Sequence, residues 1–104
     1  MDQQAMKHHF LRQLLNHHQG IDQEALVQKT SQSAGVSPDD HRENILDWIN
    51  FLISTGHVKR AGETITPDDI NRLRLVHDVV ETRRDFRAAG ADPQLVEFFL
   101  SHDR

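Results

Sequence analysis

A mainly helical α+β fold, with three N-terminal helices, a small β-hairpin and two C-terminal helices, is predicted by three features of this sequence. Apolar residues recur at helical spacing in successive stretches, glycines stand where those stretches stop, and two short alternating segments flank Ala61-Gly62. The segment from Val36 to Pro67 is the most informative, because it reads as a capped helix, a glycine stop and two very short strands in immediate succession.

The first helix is carried by Met6, Phe10, Leu11, Leu14 and Leu15, with Lys7, Arg12 and Gln13 between them, and is expected to stop near Gly20. Asp22 is suited to cap a short second helix that turns Ala25 and Leu26 inward and fades at Thr30, leaving Ser31-Gln32-Ser33-Ala34-Gly35 as a loop by composition. In the third helix Ser37 is placed to cap and Pro38 suits the first helical position. Asp39, Asp40 and Glu43 complement the positive end of the helix dipole. Ile45, Leu46, Trp48, Ile49, Phe51, Leu52 and Ile53 crowd its second half, so this helix is buried at its C-terminal end and exposed at its start, with Gly56 as the stop. The strands are expected at residues 57–60 and 63–66, and such short strands must lean on the helices.

Thr66 then caps a fourth helix that opens at Pro67-Asp68-Asp69 and runs to Ala88 or Ala89, where Gly90 ends it. Its apolar set, Ile70, Leu73, Leu75, Val76, Val79, Val80 and Phe86, is broader than one packing face requires, which predicts a homodimer. Asp92 and Pro93 open a last short helix carrying Leu95, Val96, Phe98, Phe99 and Leu100.

Composition narrows the function classes. A chain of 104 residues builds one domain with a modest core. It has no cysteine, which excludes disulfides, thiolate metal sites and cysteine nucleophiles. The net charge of −4, with a pI near 6.0, weighs against a protein that lives on phosphate backbones, where counterion release favours a basic excess. No apolar run approaches membrane-spanning length and the first residues lack an apolar leader, so a cytoplasmic location without membrane contact is expected.

The eight histidines include two adjacent pairs, His8-His9 and His17-His18. Helical ligation of a metal wants partners three or four residues apart, whereas these pairs lie on different turns, about 12 Å from each other along the axis. They read as polar surface residues, and no metal or cofactor is expected. Ser37 is explained by capping, and Asp39-Asp40 and Asp68-Asp69 by helix starts, so no catalytic machinery is expected. Trp48 and Phe51 fall within an aliphatic run and read as core. Arg72, Arg74, Arg83, Arg84 and Arg87 alternate with Asp78, Glu81 and Asp85, the pattern of a solvated, salt-bridged face.

The sequence of three helices, the third with a Ser-Pro start, then Leu52 to Val58 as "L-x-x-x-G-x-V", a tight turn and Thr64-Ile65-Thr66, resembles the winged-helix superfamily over roughly residues 6 to 66. The resemblance implies residues 1–66 as a winged-helix core and 67–104 as a helical extension that serves dimerisation. In DNA-binding members the start of the third helix enters the major groove and the wing touches the backbone. Those roles would fall here to Asp39, Asp40, His41, Arg42 and Glu43, and to Lys59 and Arg60. The cluster of carboxylates departs from a DNA reader, because acids beside phosphates are repelled. The sequence therefore predicts a non-catalytic interaction module that binds an unidentified protein partner and associates with itself through Leu73, Val76, Val80, Phe98 and Phe99. A dimeric DNA-binding transcription regulator is the alternative.

Overall fold

Helix ends set the path of this chain. In the computed structural model, which describes residues 3–82 and 90–100, the order is α1 (Gln3–Asn16), β1 (Ile21–Asp22), α2 (Gln23–Ala34), α3 (Pro38–Ser54), β2 (Val58–Ala61), β3 (Thr64–Pro67), α4 (Ile70–Thr82) and α5 (Pro93–Leu100). The expectations placed on Arg83, Arg84, Asp85, Phe86, Arg87 and the end of the fourth helix lie outside the described residues.

The clearest stop is that of α3. Gly56 adopts φ of +79°, its N–H donates to the Ile53 carbonyl, and the N–H of His57 donates to the Leu52 carbonyl at 2.9 Å. This double bond around a left-handed residue satisfies carbonyls that the helix leaves open. The second helix ends the same way one loop earlier, with Gly35 and Val36 donating to the carbonyls of Gln32 and Ser31. It therefore runs to Ala34, not Thr30, and the expected loop at Ser31 is its last turn. Thr30 and Ser31 are buried there, and that burial outweighs the weak helical preference of a serine-rich stretch.

The hairpin pairs Val58 with Pro67 and Ala61 with Thr64 in antiparallel register, so the two-residue turn is Gly62-Glu63, one position later than expected. A strand too short to show alternation completes the sheet: Ile21 pairs with Ile65 and Asp22 with Thr64. The sheet order is β1-β3-β2. Asp22 is also the cap of α2, accepting the N–H groups of Glu24 and Ala25. Gly20, at φ +117°, lets the chain enter β1, and a side chain there would meet Thr66 Oγ1 at 3.0 Å.

The fourth helix is capped by Asp69, whose carboxylate accepts from Asn71 and Arg72. Thr66 and Pro67 belong to β3 instead. Proline is tolerated at that strand end because β1 reaches no further than Thr64 and Ile65.

One apolar cluster runs from Met6 to Phe99, taking in Trp48 at its centre. Phe10 meets Trp48 edge to face at 5.7 Å, and Phe51 stacks on Phe98 at 4.4 Å. Helix α1 packs against α2, α4 and α5. Lys7, read above as a polar spacer, is fully buried. It lies in helical phase with Phe10, Leu11 and Leu14, and its Nζ donates to the Phe98 carbonyl at 2.9 Å. The same ammonium stands 4.5 Å from the Phe98 ring centre and 5.9 Å from that of Trp48.

Leu73, Val76, Val80, Phe98 and Phe99, the side chains assigned to a dimer seam, all belong to this core. The apolar excess of the fourth helix is covered by α1 and α5 within the same chain, which corrects the premise on which the seam was placed. Leu75, 38% accessible, is the exposed large apolar residue among those described. None of the described helices is long and apolar enough to cross a membrane.

Two stability predictions arise from this packing. Lys7→Ala should lower unfolding free energy by about 2–3 kcal/mol, through a lost charged hydrogen bond and lost ring contacts. Lys7→Met, which keeps the volume, should cost visibly less when both variants are unfolded in urea. Val76→Asp should cost more than about 3 kcal/mol by burying a carboxylate, so that the chain unfolds rather than passing to a folded monomer, as circular dichroism with light scattering would report.

Candidate functional site

Helix α3 presents its first half to solvent. Pro38 occupies the first turn together with Asp39 and Asp40, where backbone N–H groups favour negative charge. The side chain of Ser37 makes no capping bond, so these carboxylates take the electrostatic role expected of the serine. Asp39, Glu43 and Asp47 follow one another at four-residue intervals and are exposed, with Asp40 exposed beside them. They form one acidic stripe down the helix. A shallow depression of about 340 Å³ lies at its upper end, lined by Asp39, Asp40, Arg42, Glu43 and Asn44.

Arg42 is the cation within this stripe, and its charge is already engaged. The guanidinium binds the Glu24 carboxylate of α2 and the Asp39 carboxylate one turn earlier. Those hydrogen bonds, Glu24 first and Asp39 second, raise its pKa above the ordinary arginine value. Glu24 is correspondingly lowered by Arg42 and then by Gln28. Among the described residues no cation pairs with Asp40, Glu43 or Asp47. His41 is half-buried, and its Nδ1 has no hydrogen-bond partner among the described residues.

The hairpin cations are engaged in the same manner. Lys59 Nζ pairs with Asp68 Oδ1 at 2.9 Å, which raises the lysine and lowers the aspartate, in each case chiefly through their shared hydrogen bond. Arg60 donates to the side-chain oxygen of Gln23. Asp39, Asp40, Arg42 and Glu43 are thus brought together on one face. Lys59 and Arg60, on the hairpin, are each tied to a residue of their own chain. Glu24, Gln23 and Asp68, which complete these pairs, carry no signal of that role in the sequence. Glu24 lies 18 residues before Arg42, and nothing but the packing of α2 on α3 brings them within reach.

Two histidine-bearing contacts join α1 to its neighbours. His9 Nδ1 lies 2.7 Å from Ser33 Oγ, and burial first, then Arg12, lowers its pKa. Arg12 Nη2 binds Glu81 at 2.8 Å, with His8 and His77 at 3.9 and 3.6 Å from the same carboxylate oxygen. Burial pushes Glu81 up, but the bond and charge of Arg12 with the two histidines hold it below its usual value. No group of three or more His, Cys, Asp or Glu among the described residues is arranged to hold a metal ion.

No protein-family model, curated protein or solved structure matches this chain. Its surface chemistry therefore has to be read from its own geometry: an acidic helix face whose internal cation is neutralised, bordered by a hairpin whose cations are engaged as well.

Exposed ion pairs contribute little to folding, so Arg42→Ala should leave the thermal unfolding midpoint nearly where it was. It should, however, make the α3 face more acidic, with faster elution from a cation exchanger and slower elution from an anion exchanger than the parent protein.

Proposed function

We propose that this chain is a non-catalytic interaction module of winged-helix type whose acidic α3 face receives a basic surface of a protein partner. The order of α1, α2 and α3 followed by the β2–β3 hairpin supports the winged-helix part of this reading. The engagement of Arg42, Lys59 and Arg60 by groups of their own chain, beside the open carboxylates of Asp40, Glu43 and Asp47, carries the partner chemistry.

A phosphate backbone approaching this face would meet Asp39, Asp40, Glu43 and Asp47, and Arg42, Lys59 and Arg60 would each first have to leave their present partners. A lysine- and arginine-rich segment meets the reverse situation. It finds charge to neutralise, at a helix start whose first-turn acids are already held by the backbone dipole. Such encounters are steered by charge and weaken with salt. Self-association, where it occurs, uses faces other than the buried Leu73, Val76, Val80, Phe98 and Phe99.

Fluorescence anisotropy against a labelled Lys/Arg-rich helical peptide and against random duplex DNA, each over a salt series, separates the readings. The peptide should bind and weaken with salt. The triple substitution Asp40→Asn, Glu43→Gln and Asp47→Asn should reduce its affinity roughly tenfold, at a few tenths of a kcal/mol per exposed pair. DNA should show no binding at low salt. Steep salt-dependent DNA binding abolished by Lys59→Ala with Arg60→Ala would instead establish the DNA-binding regulator.

A further inference from the structure

His57 stands where α3 ends, the hairpin begins and α5 arrives, and its ring is shut away from solvent at 2% accessibility. Its Nδ1 lies 2.8 Å from Thr55 Oγ1, and that hydroxyl donates its single hydrogen to the Leu52 carbonyl at 3.1 Å. The Nδ1 contact itself has no fixed direction; with the hydroxyl hydrogen on the Leu52 carbonyl, Thr55 accepts and Nδ1 carries the ring proton when the histidine is neutral. Nε2 is then bare. It lies 3.3 Å from Oδ2 of the partly exposed Asp92 but is not aligned for a hydrogen bond to it. In that tautomer Nε2 is an unmet acceptor, and a second ring proton would turn it into a donor beside the Asp92 carboxylate.

Asp92 is shared. Its Oδ1 accepts the Gln94 N–H at 2.9 Å and so caps α5. Its Oδ2, the atom facing His57, also lies 3.7 Å from Arg72 Nη2 of α4. Among the described residues the remaining charge acting on the ring is Asp68, between β3 and α4, which Lys59 of β2 already binds. Asp68 N–H donates to the His57 carbonyl at 2.9 Å. Arg72 and Asp92 line one shallow cleft of about 340 Å³, with Leu75, Gly90, Ala91 and Pro93.

We propose that His57 is a proton-operated clasp: on acidification its Nε2 takes up a proton and binds Asp92 Oδ2, displacing Arg72 and adding a free guanidinium to the cleft between α4 and the start of α5. Protonation puts a donor on Nε2 within 3.3 Å of an acceptor, and a turn of the ring or of the Asp92 carboxylate aligns the two while the half-exposed Arg72 moves aside. No part of α5 has to leave the core, where removing Leu95, Val96, Phe98 and Phe99 would cost far more than one protonation supplies.

The clasp works below the ordinary histidine range. Burial first, and Arg72 second, lower the pKa of His57, against the attraction of Asp92 and Asp68. The folded state thus favours the neutral ring. Its contribution to stability is present above about pH 6.5, the unfolded value, and is lost as pH falls from there through the depressed folded value.

The test is nitrogen-resolved NMR of the imidazole rings from pH 8 to 4.5, with His57 assigned by its loss in His57→Gln. The neutral ring should be the Nδ1–H tautomer and titrate below the ordinary histidine value of about 6.5. Arg72→Gln should move that midpoint up, and Asp92→Asn, which keeps the α5 cap, should move it further down. A neutral Nε2–H tautomer, or a midpoint indifferent to both substitutions, would overturn the clasp. Each variant reports by itself, so a failure of one to fold leaves the other decisive.

Discussion

An ammonium group held out of water has to be satisfied by whatever surrounds it, and in this chain that condition fixes where the last helix lies against the first. Lys7 finds the Phe98 carbonyl, one of the last-turn acceptors that a helix end leaves open, and the faces of Phe98 and Trp48. Cations are favoured at helix C-termini for the same electrostatic reason that acids are favoured at the start of α3. The bond therefore specifies which end of α5 points at α1. It also recruits Phe98 to stack on Phe51 of α3, so that three helices are registered through one side chain. An apolar residue at position 7 would fill the space without naming the partner.

Once α5 is fixed, the apolar surplus of α4 has its cover. Leu73, Val76, Val79 and Val80 close against α1 and α5, and among the described residues Leu75 is the large apolar side chain left exposed. What the described surface presents is mostly charge and hydrogen-bonding capacity. That shifts the functional argument from the C-terminal helices, where apolar counting had put it, to the polar start of α3.

Legibility in the sequence follows the range of the interaction. The third helix, its proline start and its glycine stop are readable because each depends on neighbours within one turn, and the hairpin because its strands flank a glycine. The strand β1 is not, since a two-residue pairing with Ile65 and Thr64 leaves no periodic trace. The last turn of α2 is hidden because Thr30 and Ser31 owe their helical state to burial and not to propensity. The start of α4 falls later than expected because Thr66-Pro67 is a sound capping signal that the sheet claims first. Lys7 misleads through phase: its charge suggests a spacer, yet it lies one turn from Phe10 and Leu11 and shares their buried face. The acidic stripe is fully visible in the sequence. The partners that silence the nearby cations are not, because Glu24, Gln23 and Asp68 reach them only through tertiary packing or hairpin closure.

That last point bears on function more than the net charge does. A total of −4 is compatible with a strongly basic patch, and Lys59, Arg60 and Arg42 are the cations that the hairpin and the start of α3 would give to one. They do not build it, because each is answered at close range by a residue that is itself well placed: Asp68 follows β3, Gln23 opens α2, and Glu24 sits in the first turn where the dipole already favours it. Pulling Arg42 away to meet phosphate would leave Glu24 and Asp39 as additional negative charges at the α3 face, and pulling Lys59 away would expose Asp68 on the hairpin side. A basic protein segment needs no such exchange, since Asp40, Glu43 and Asp47 are open to it as they stand. The sign of the α3 face is set by pairing within the chain, and that pairing is what the proposed cationic protein partner rests on.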